Sequence, residues 1–361
     1  MRLLIYEWSC SGGLEPHDRP ATPGAESLSA EGRMMFLALL RDAVRAADLV
    51  VTGLVDATRS LAVPAAARTR TVPRGAEIDT LVAEALHADA TLIVAPETDG
   101  ILADRVARVR QAGGRVVAPD TRFITLAADK QATVDALAAA GVPVPAGRTL
   151  AAREDWPAGF VTPAVRKARA AAGCEDLLIQ SVGDPPPPPA SRPSRIEALA
   201  AGIPVGVSCL CGPEGIRHLP PLRQRFSAGA APRFIGCEPL ADRALEQRAE
   251  SLAHRAIAAV ARAAVGQATE GRHAPAAGWI GVDMILGARS DGRDDRVLEV
   301  NPRLTTSFAG HAEGTVGSLV RTLVDVWAGR EPSEAVVAHV RPLSFSIPDD
   351  DAHPPHRPAR L

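Results

Sequence analysis

Short apolar runs alternate with amphipathic stretches through the first third of the chain: RLLIYEW, FLALLRDAVRAA, LVVTGLVD, LVAEALHA, ATLIVAP, RVARVRQAGG and RVVAP. Brief apolar runs separated by helical patterns are the mark of βαβ units around a parallel sheet. The pattern predicts one α/β unit over residues 1 to about 121. The loop SCSGGLEPHD after the first run lies where ligands approach the carboxyl ends of parallel strands. It lacks the G-x-G-x-x-G fingerprint and reads as a plain strand-to-helix turn.

Beyond this unit the periodicity changes. DTRFITLAADKQATVDALAAAG predicts one alanine-rich helix from Thr121 to Gly141, with Pro143 and Pro145 past its end. The tract DPPPPPASRPSR cannot pair in a sheet, so residues 184–195 are expected to form an exposed, extended loop. A long helix is predicted from about Ala241 to Val265. GWIGVDMILG, the polar turn SDGRDD and VLEVNPR then read as a β-hairpin. The ending DDDAHPPHRPARL reads as a disordered tail whose histidines are solvated.

Composition narrows the partners. The chain has 46% hydrophobic and 23% charged residues and a net charge of −2, with both signs interspersed. No global field is available to hold a nucleic acid or an anionic membrane, so small-molecule partners fit better. The five cysteines are an odd number without C-x-x-C spacing, which argues against a disulfide framework and a zinc ribbon. No apolar run approaches the roughly 18 residues of a membrane span, and the N-terminus has no signal-like core. A cytoplasmic protein with reduced thiols is the expectation.

The hairpin carries the chemistry. Strand side chains repeat with period two, so Asp283 on one strand, with Glu299 and Asn301 on the other, can share a face. Two carboxylates and an amide oxygen there are costly unless a cation neutralises them, and hard oxygen ligands suit Mg²⁺. Two solvated residues on an open strand face are the alternative. Apolar neighbours Val282, Met284, Leu298 and Val300 weigh against it, as does the Asn-Pro-Arg continuation.

An Asp followed on the next strand by Glu-x-Asn-Pro-Arg, with a lysine upstream in a glycine-containing loop, resembles the ATP-grasp superfamily over roughly residues 121–330. The resemblance implies α/β plus α+β architecture: a parallel-sheet pre-ATP-grasp domain (1–121), a central lobe (122–197), a C-terminal lobe (198–340) and the tail (341–361). It also implies ATP held between lobes, with Mg²⁺, or Mn²⁺ in its place, on Asp283, Glu299 and Asn301. Lys130, in DKQATVDALAAAGVPVP, and Lys167, in AVRKARAAAGCEDLL, would reach the phosphates under a flexible loop containing Gly173. Ala168 and Ala171 stand where the family has proline and glycine, a departure that bears on turnover. In IEALAAG, Glu197 would accept from the adenine amino group while backbone groups of Leu199 and Ala200 read the ring edge. Pro204 occupies the usual place of a ribose-binding carboxylate.

Peptide-forming relatives often carry an arginine two residues before the metal aspartate, where this chain has Gly281. The oxyanion role therefore falls to Arg303, with a plain salt bridge as its alternative. YEWSCSGG, GWIGVDMIL and LEVNPRLTTSFAG are most similar to the tyramine–glutamate ligases of methanofuran synthesis. That resemblance implies that the side-chain carboxylate of glutamate is joined to tyramine or tyrosine through an acyl phosphate. Thr305, Thr306 and Ser307 are candidates to bind the carboxylate or amine, with turn-capping hydroxyls as the alternative. A ligase for another amino acid or peptide, and a nucleotide-binding protein with impaired turnover, remain open, as does a homodimer.

Overall fold

The computed structural model describes residues 1–14, 25–174, 176–266, 275–332 and 344–347. The expected tail falls largely outside them. The N-terminal unit contains β1 (Arg2–Glu7), α1 (Ala25–Ala43), β2 (Val50–Asp56), β3 (Arg68–Val72), α2 (Glu77–His87), β4 (Ala90–Val94) and α3 (Ile101–Gln111). Its four strands are parallel, in the order β3-β2-β1-β4. Both faces are covered, so the central strands can be apolar throughout. Leu3 and Ile5 of β1 join one core with Phe36, Leu39 and Leu40 of α1, while Leu4 and Tyr6 join another with Leu81 and Val106.

Two expectations here need correction. RVVAP forms no ladder strand: Val116 makes one isolated bridge to Thr91. β3 was not foreseen, because four of its five residues, RTRTV, are exposed at the sheet edge and carry no apolar signal.

The stretch expected to be one helix is two, α4 (Thr121–Ala128) and α5 (Lys130–Ala139). Asp129 breaks it at φ −94° and ψ 107°, and its carboxylate accepts from the N–H groups of Gln131 at 2.9 Å and Ala132 at 3.1 Å. An aspartate that caps the following turn cannot also continue the preceding helix.

A small antiparallel sheet follows, built from β5 (Gly147–Leu150), β6 (Ala164–Ala168), β7 (Leu178–Gln180) and β8 (Ser194–Ala198) in the order β5-β8-β6-β7. The proline tract is mostly exposed, but its last two residues, Ser194 and Arg195, are buried in β8 rather than lying in a loop. Sheet pairing with β6 captures them.

The larger sheet comprises β9 (Ile203–Gly212), β10 (Gly215–His218), β11 (Leu222–Phe226), β12 (Phe234–Pro239), β13 (Gly278–Leu286), β14 (Arg296–Asn301) and β15 (Phe345–Ser346). The order is β14-β13-β9-β11-β12-β15, with β10 also on β9. Helix α6 (Arg243–Val265) packs on this sheet with α4 and α5 around Ile257, Val260, Ile280 and Val282. Helices α7 (Phe308–Glu313) and α8 (Leu319–Trp327) close the C-terminal lobe against α1, in the core that also holds Leu3 and Ile5.

The chain crosses from the small antiparallel sheet to the larger sheet at residues 199–202. Gly202 is required there: its φ is +148°, and a Cβ would meet the Leu286 carbonyl oxygen at 2.2 Å. Among the described residues no helix is long and apolar enough to cross a membrane, and all five cysteines are free thiols.

Candidate functional site

A cleft of about 1800 Å³ opens where the three units meet. Trp8, Pro96 and Thr98 of the N-terminal unit line one wall, Lys130, Lys167 and Glu197 another, and Asp283, Glu299 and Asn301 the floor. The hairpin builds that floor. Asp283 is paired with Glu299 across β13 and β14, and the register slips immediately afterwards, so Met284 faces Val297. This bulge leaves Leu298 outside the ladder, and its carbonyl accepts from Lys167 Nζ at 3.1 Å.

The structure brings Asp283, Glu299, Asn301 and Lys130 together. The two carboxyl-bearing residues stand opposite each other across the hairpin. Asp283 also accepts from Asn301 Nδ2 at 2.8 Å and from Gln224 Nε2, on β11, at 2.7 Å. Lys130 Nζ lies 3.3 Å from Glu299 and donates to the Ala171 carbonyl at 2.8 Å. Burial, and then the neighbouring charge of Glu299, raise the Asp283 pKa well above the ordinary carboxylate range. Burial would raise Glu299 too, but Lys130 and Lys167 outweigh it and hold that carboxylate ionised. The pair thus shares one proton, carried by Asp283.

A divalent cation is a natural replacement for that proton. Among the described residues no group of three or more His, Cys, Asp or Glu side chains forms a metal cage. Mg²⁺ does not need one, since it binds through one or two carboxylates and takes its remaining oxygens from phosphates and water. With its Nδ2 on Asp283, Asn301 keeps its amide oxygen as a third hard donor. The donor set therefore fits.

The other expected ligand residues are more tied up. Lys167 is buried on β6 and pairs with Glu197 on β8 at 2.7 Å, and Arg195 Nε holds the second Glu197 oxygen at 3.1 Å. Glu197 thus has two cationic partners, and an adenine amine would have to share its remaining lone pairs. Leu199 corrects one detail: its N–H already donates to the Pro163 carbonyl at 2.9 Å and cannot read a ring edge. Leu199 and Ala200 both line the cleft. In the loop after β6, Ala168 and Ala171 are buried, Ala172 N donates to Thr98 Oγ1 at 3.2 Å, and Gly173 takes a φ of +62°. The two alanines pack the loop down rather than leaving it loose.

Arg303 lines the cleft, and its Nε lies 2.9 Å from Glu97 of the N-terminal unit. The salt bridge that the sequence left as an alternative is present. Thr305, Thr306 and Ser307 also line the cleft. Ser307 Oγ lies 2.7 Å from Thr305 Oγ1 and 2.9 Å from Ser208 Oγ, and Trp279 Nε1 donates to Thr305 at 3.3 Å. Gly281 makes room for this cluster, because a Cβ there would stand 2.7 Å from Thr305 Cγ2.

Sequence reasoning missed Gln224, Ser208 and Glu97. Ser208 had a weak signal, a hydroxyl inside the apolar run IPVGVSCLC, and Glu97 stood just past a parallel strand's carboxyl end. Gln224 had none.

Comparisons with known proteins bear on the fold. A family described as an ATP-grasp domain matches residues 127–307, half of the chain, and a pre ATP-grasp 3 domain matches residues 49–124. No curated protein matches. Among solved structures, an ATP-grasp superfamily protein from Archaeoglobus fulgidus is similar at 20% identity and TM-score 0.62, covering 93% of this chain and 90% of that one. An L-amino acid ligase from Bacillus licheniformis is similar at 12% identity and TM-score 0.63, with 94% and 77% covered. An N5-carboxyaminoimidazole ribonucleotide synthetase from Thermotoga maritima is similar at 16% identity and TM-score 0.59, with 93% and 78% covered. At such identities the likeness speaks to fold. From the match over its nucleotide-grasping half, with a pre-ATP-grasp unit ahead of it, the chain belongs to the ATP-grasp family.

Proposed function

We propose that the protein is an ATP-dependent, ADP-forming carboxylate–amine ligase that makes an amide through an acyl phosphate. Its most specific form joins glutamate to tyramine or tyrosine, as in methanofuran-type cofactor synthesis. One observation carries the reading: Asp283 and Glu299 lie side by side in a cleft between units, with Lys130 on the pair and Lys167 beside it. The solved L-amino acid ligase with the same fold supports the ligase class, and YEWSCSGG and LTTSFAG support the glutamate–amine choice.

Asp283, Glu299 and Asn301 would hold Mg²⁺, or Mn²⁺ in its place. The bound ion would supply charge neutralisation along the nucleotide phosphates. Lys130 and Lys167 bind the phosphate oxygens as point charges, exchanging part of their present pairing with Glu299 and Glu197 for the nucleotide. Glu197, with Leu199 and the backbone at Ala200 lining the cleft beside it, bounds the adenine. A substrate carboxylate oxygen attacks the γ-phosphorus, ADP leaves, and a mixed anhydride forms. The amine then attacks the acyl carbon, loses a proton, and expels phosphate. Arg303 steadies the charge of the transferring phosphoryl group and of the tetrahedral oxyanion, while Thr305, Thr306 and Ser307 orient the carboxylate. Positioning and charge supply the rate, so the protein needs no nucleophile of its own.

The test is ADP formation in purified protein given ATP, Mg²⁺, glutamate and tyramine. ADP should appear with a coupled amide and vanish when either substrate is withheld. ADP with a different carboxylate–amine pair selects another amino-acid or peptide ligase. Tight Mg·ATP binding without ADP across a broad substrate panel selects a nucleotide-binding protein in which the packed Ala168 and Ala171 loop no longer supports turnover.

A further inference from the structure

Glu97 stands just past β4 in the N-terminal unit, buried, while its partner belongs to the floor of the ATP-grasp lobes. Arg303 Nε lies 2.9 Å from each Glu97 oxygen, and Arg303 Nη1 donates to the Leu304 carbonyl at 3.1 Å. A guanidinium carries five donor hydrogens in one rigid plane. Nε and Nη1 lie on different edges of that plane, so these contacts hold it from two sides, and among the described residues Nη2, at its tip, has no acceptor. The ion pair also falls short of the two-bond fork that gives arginine–carboxylate pairs their greatest strength, since Glu97 Oε1 has no hydrogen-bond partner of good geometry. A pair made for stability alone would take the fork. One that leaves Nη2 open toward a cleft suits an arginine with a second task.

We propose that Glu97 is a positioning residue: from the N-terminal unit it orients Arg303 so that the acceptor-free Nη2 group meets the phosphoryl group in transfer. The inference rests on the ligase reading and deepens it, because it makes the N-terminal unit part of the reacting centre. Arg303 follows Pro302 beyond the end of β14, where no sheet pairing restrains it. Its lateral anchor is the carboxylate from the other unit.

Two substitutions separate charge from reach. Glu97→Gln keeps size and one acceptor oxygen, and Glu97→Asp keeps the charge on a shorter stem. Glu97→Gln should lower kcat for ADP formation by about 10- to 100-fold, toward the loss typical of an oxyanion donor. The KM for Mg·ATP should stay within about twofold, and Glu97→Asp should recover part of kcat. In an Arg303→Ala background, Glu97→Gln should cost nothing further, since it acts through the missing side chain. Additive losses, or a change confined to KM, would overturn the proposal.

A second measurement does not depend on turnover. Tetrafluoroaluminate mimics the phosphoryl group in transfer, so it should tighten Mg·ADP binding in the wild type. Glu97→Gln should lose that gain while keeping its affinity for Mg·ADP alone. No gain in the wild type, or an equal gain in both proteins, would overturn the role of Glu97. If no carboxylate–amine pair yields ADP, the ligase reading fails, and the fluoroaluminate comparison alone then decides on Glu97.

Discussion

Buried polar side chains in this molecule fall into two kinds, and they respond to protons differently. Asp283 has partners on two other strands, and burial beside the ionised Glu299 keeps its carboxyl neutral. Asp283→Asn removes the charge that the cation would meet and retains the side-chain shape. We expect Mg²⁺ to strengthen ATP binding to the wild type and to do so far less in this variant, as read by calorimetric titration with and without Mg²⁺. Equal Mg²⁺ dependence in both proteins would remove Asp283 from the ligand set. His311 is the opposite case. It is fully buried on α7 beside Trp279, and neither ring nitrogen has a partner among the described residues. Burial drives its pKa down to about 3. The unfolded chain binds a proton near the ordinary histidine value of about 6.5, so between these two pH values it holds a proton that the folded chain refuses. Stability is therefore intact above that range and lost as pH falls through it, by at most about 1.4 kcal/mol per pH unit. His311→Met should flatten this acid limb in urea unfolding followed from pH 7 to 4.5. An unchanged slope would mean that the folded protein already accommodates the imidazolium.

The break between α4 and α5 shows how one element sets a site. Asp129 caps α5 and also pairs with Arg169 at 2.7 Å, at the start of the loop whose Ala171 carbonyl receives Lys130. Asp129→Ala should cost about 1 kcal/mol as a lost cap. It should also weaken Mg·ATP binding, because Lys130 begins the helix that Asp129 starts. Urea unfolding and nucleotide titration read the two effects separately, and a stability loss without an affinity loss would show that Lys130 keeps its place unaided. The break was not legible in the sequence, since an alanine-rich pattern runs across it and the capping signal is one residue deep. Strands buried on both faces were legible as unbroken apolar runs, whereas β3 was hidden by its exposed arginines and threonines. The floor of the site was legible for a related reason: polar residues at period two inside apolar strands stand out. Gln224, Glu97 and Ser208 were not, because their partners lie 59, 206 and 99 residues away and only the fold chooses them.

At the scale of the molecule, the N-terminal unit is joined to the C-terminal lobe by a shared core and a polar clasp. Leu3, Phe36 and Leu40 pack in one cluster with Phe308, Leu319 and Leu323. Beside it, Asp42 of α1 accepts from Ser318 Oγ at 2.9 Å, Leu319 N at 3.1 Å and Val320 N at 2.7 Å, so a side chain from one unit caps a helix of the other. Arg45, one turn on, donates to the carbonyls of Ala312 and Thr315 at the end of α7. Units tied in this way should unfold as one, with tryptophan fluorescence and far-ultraviolet circular dichroism giving coincident transitions. Asp42→Ala leaves the first N–H groups of α8 buried without an acceptor, at a cost of about 1–3 kcal/mol. Because the same helix α1 carries Ser29 and Met35 into the cleft, loosening its far end should also reduce ADP formation more than it reduces ATP affinity. Urea midpoints and steady-state rates on this one variant check both statements. Full activity in a protein destabilised by that amount would show that the clasp secures the fold without setting the position of the N-terminal wall of the cleft.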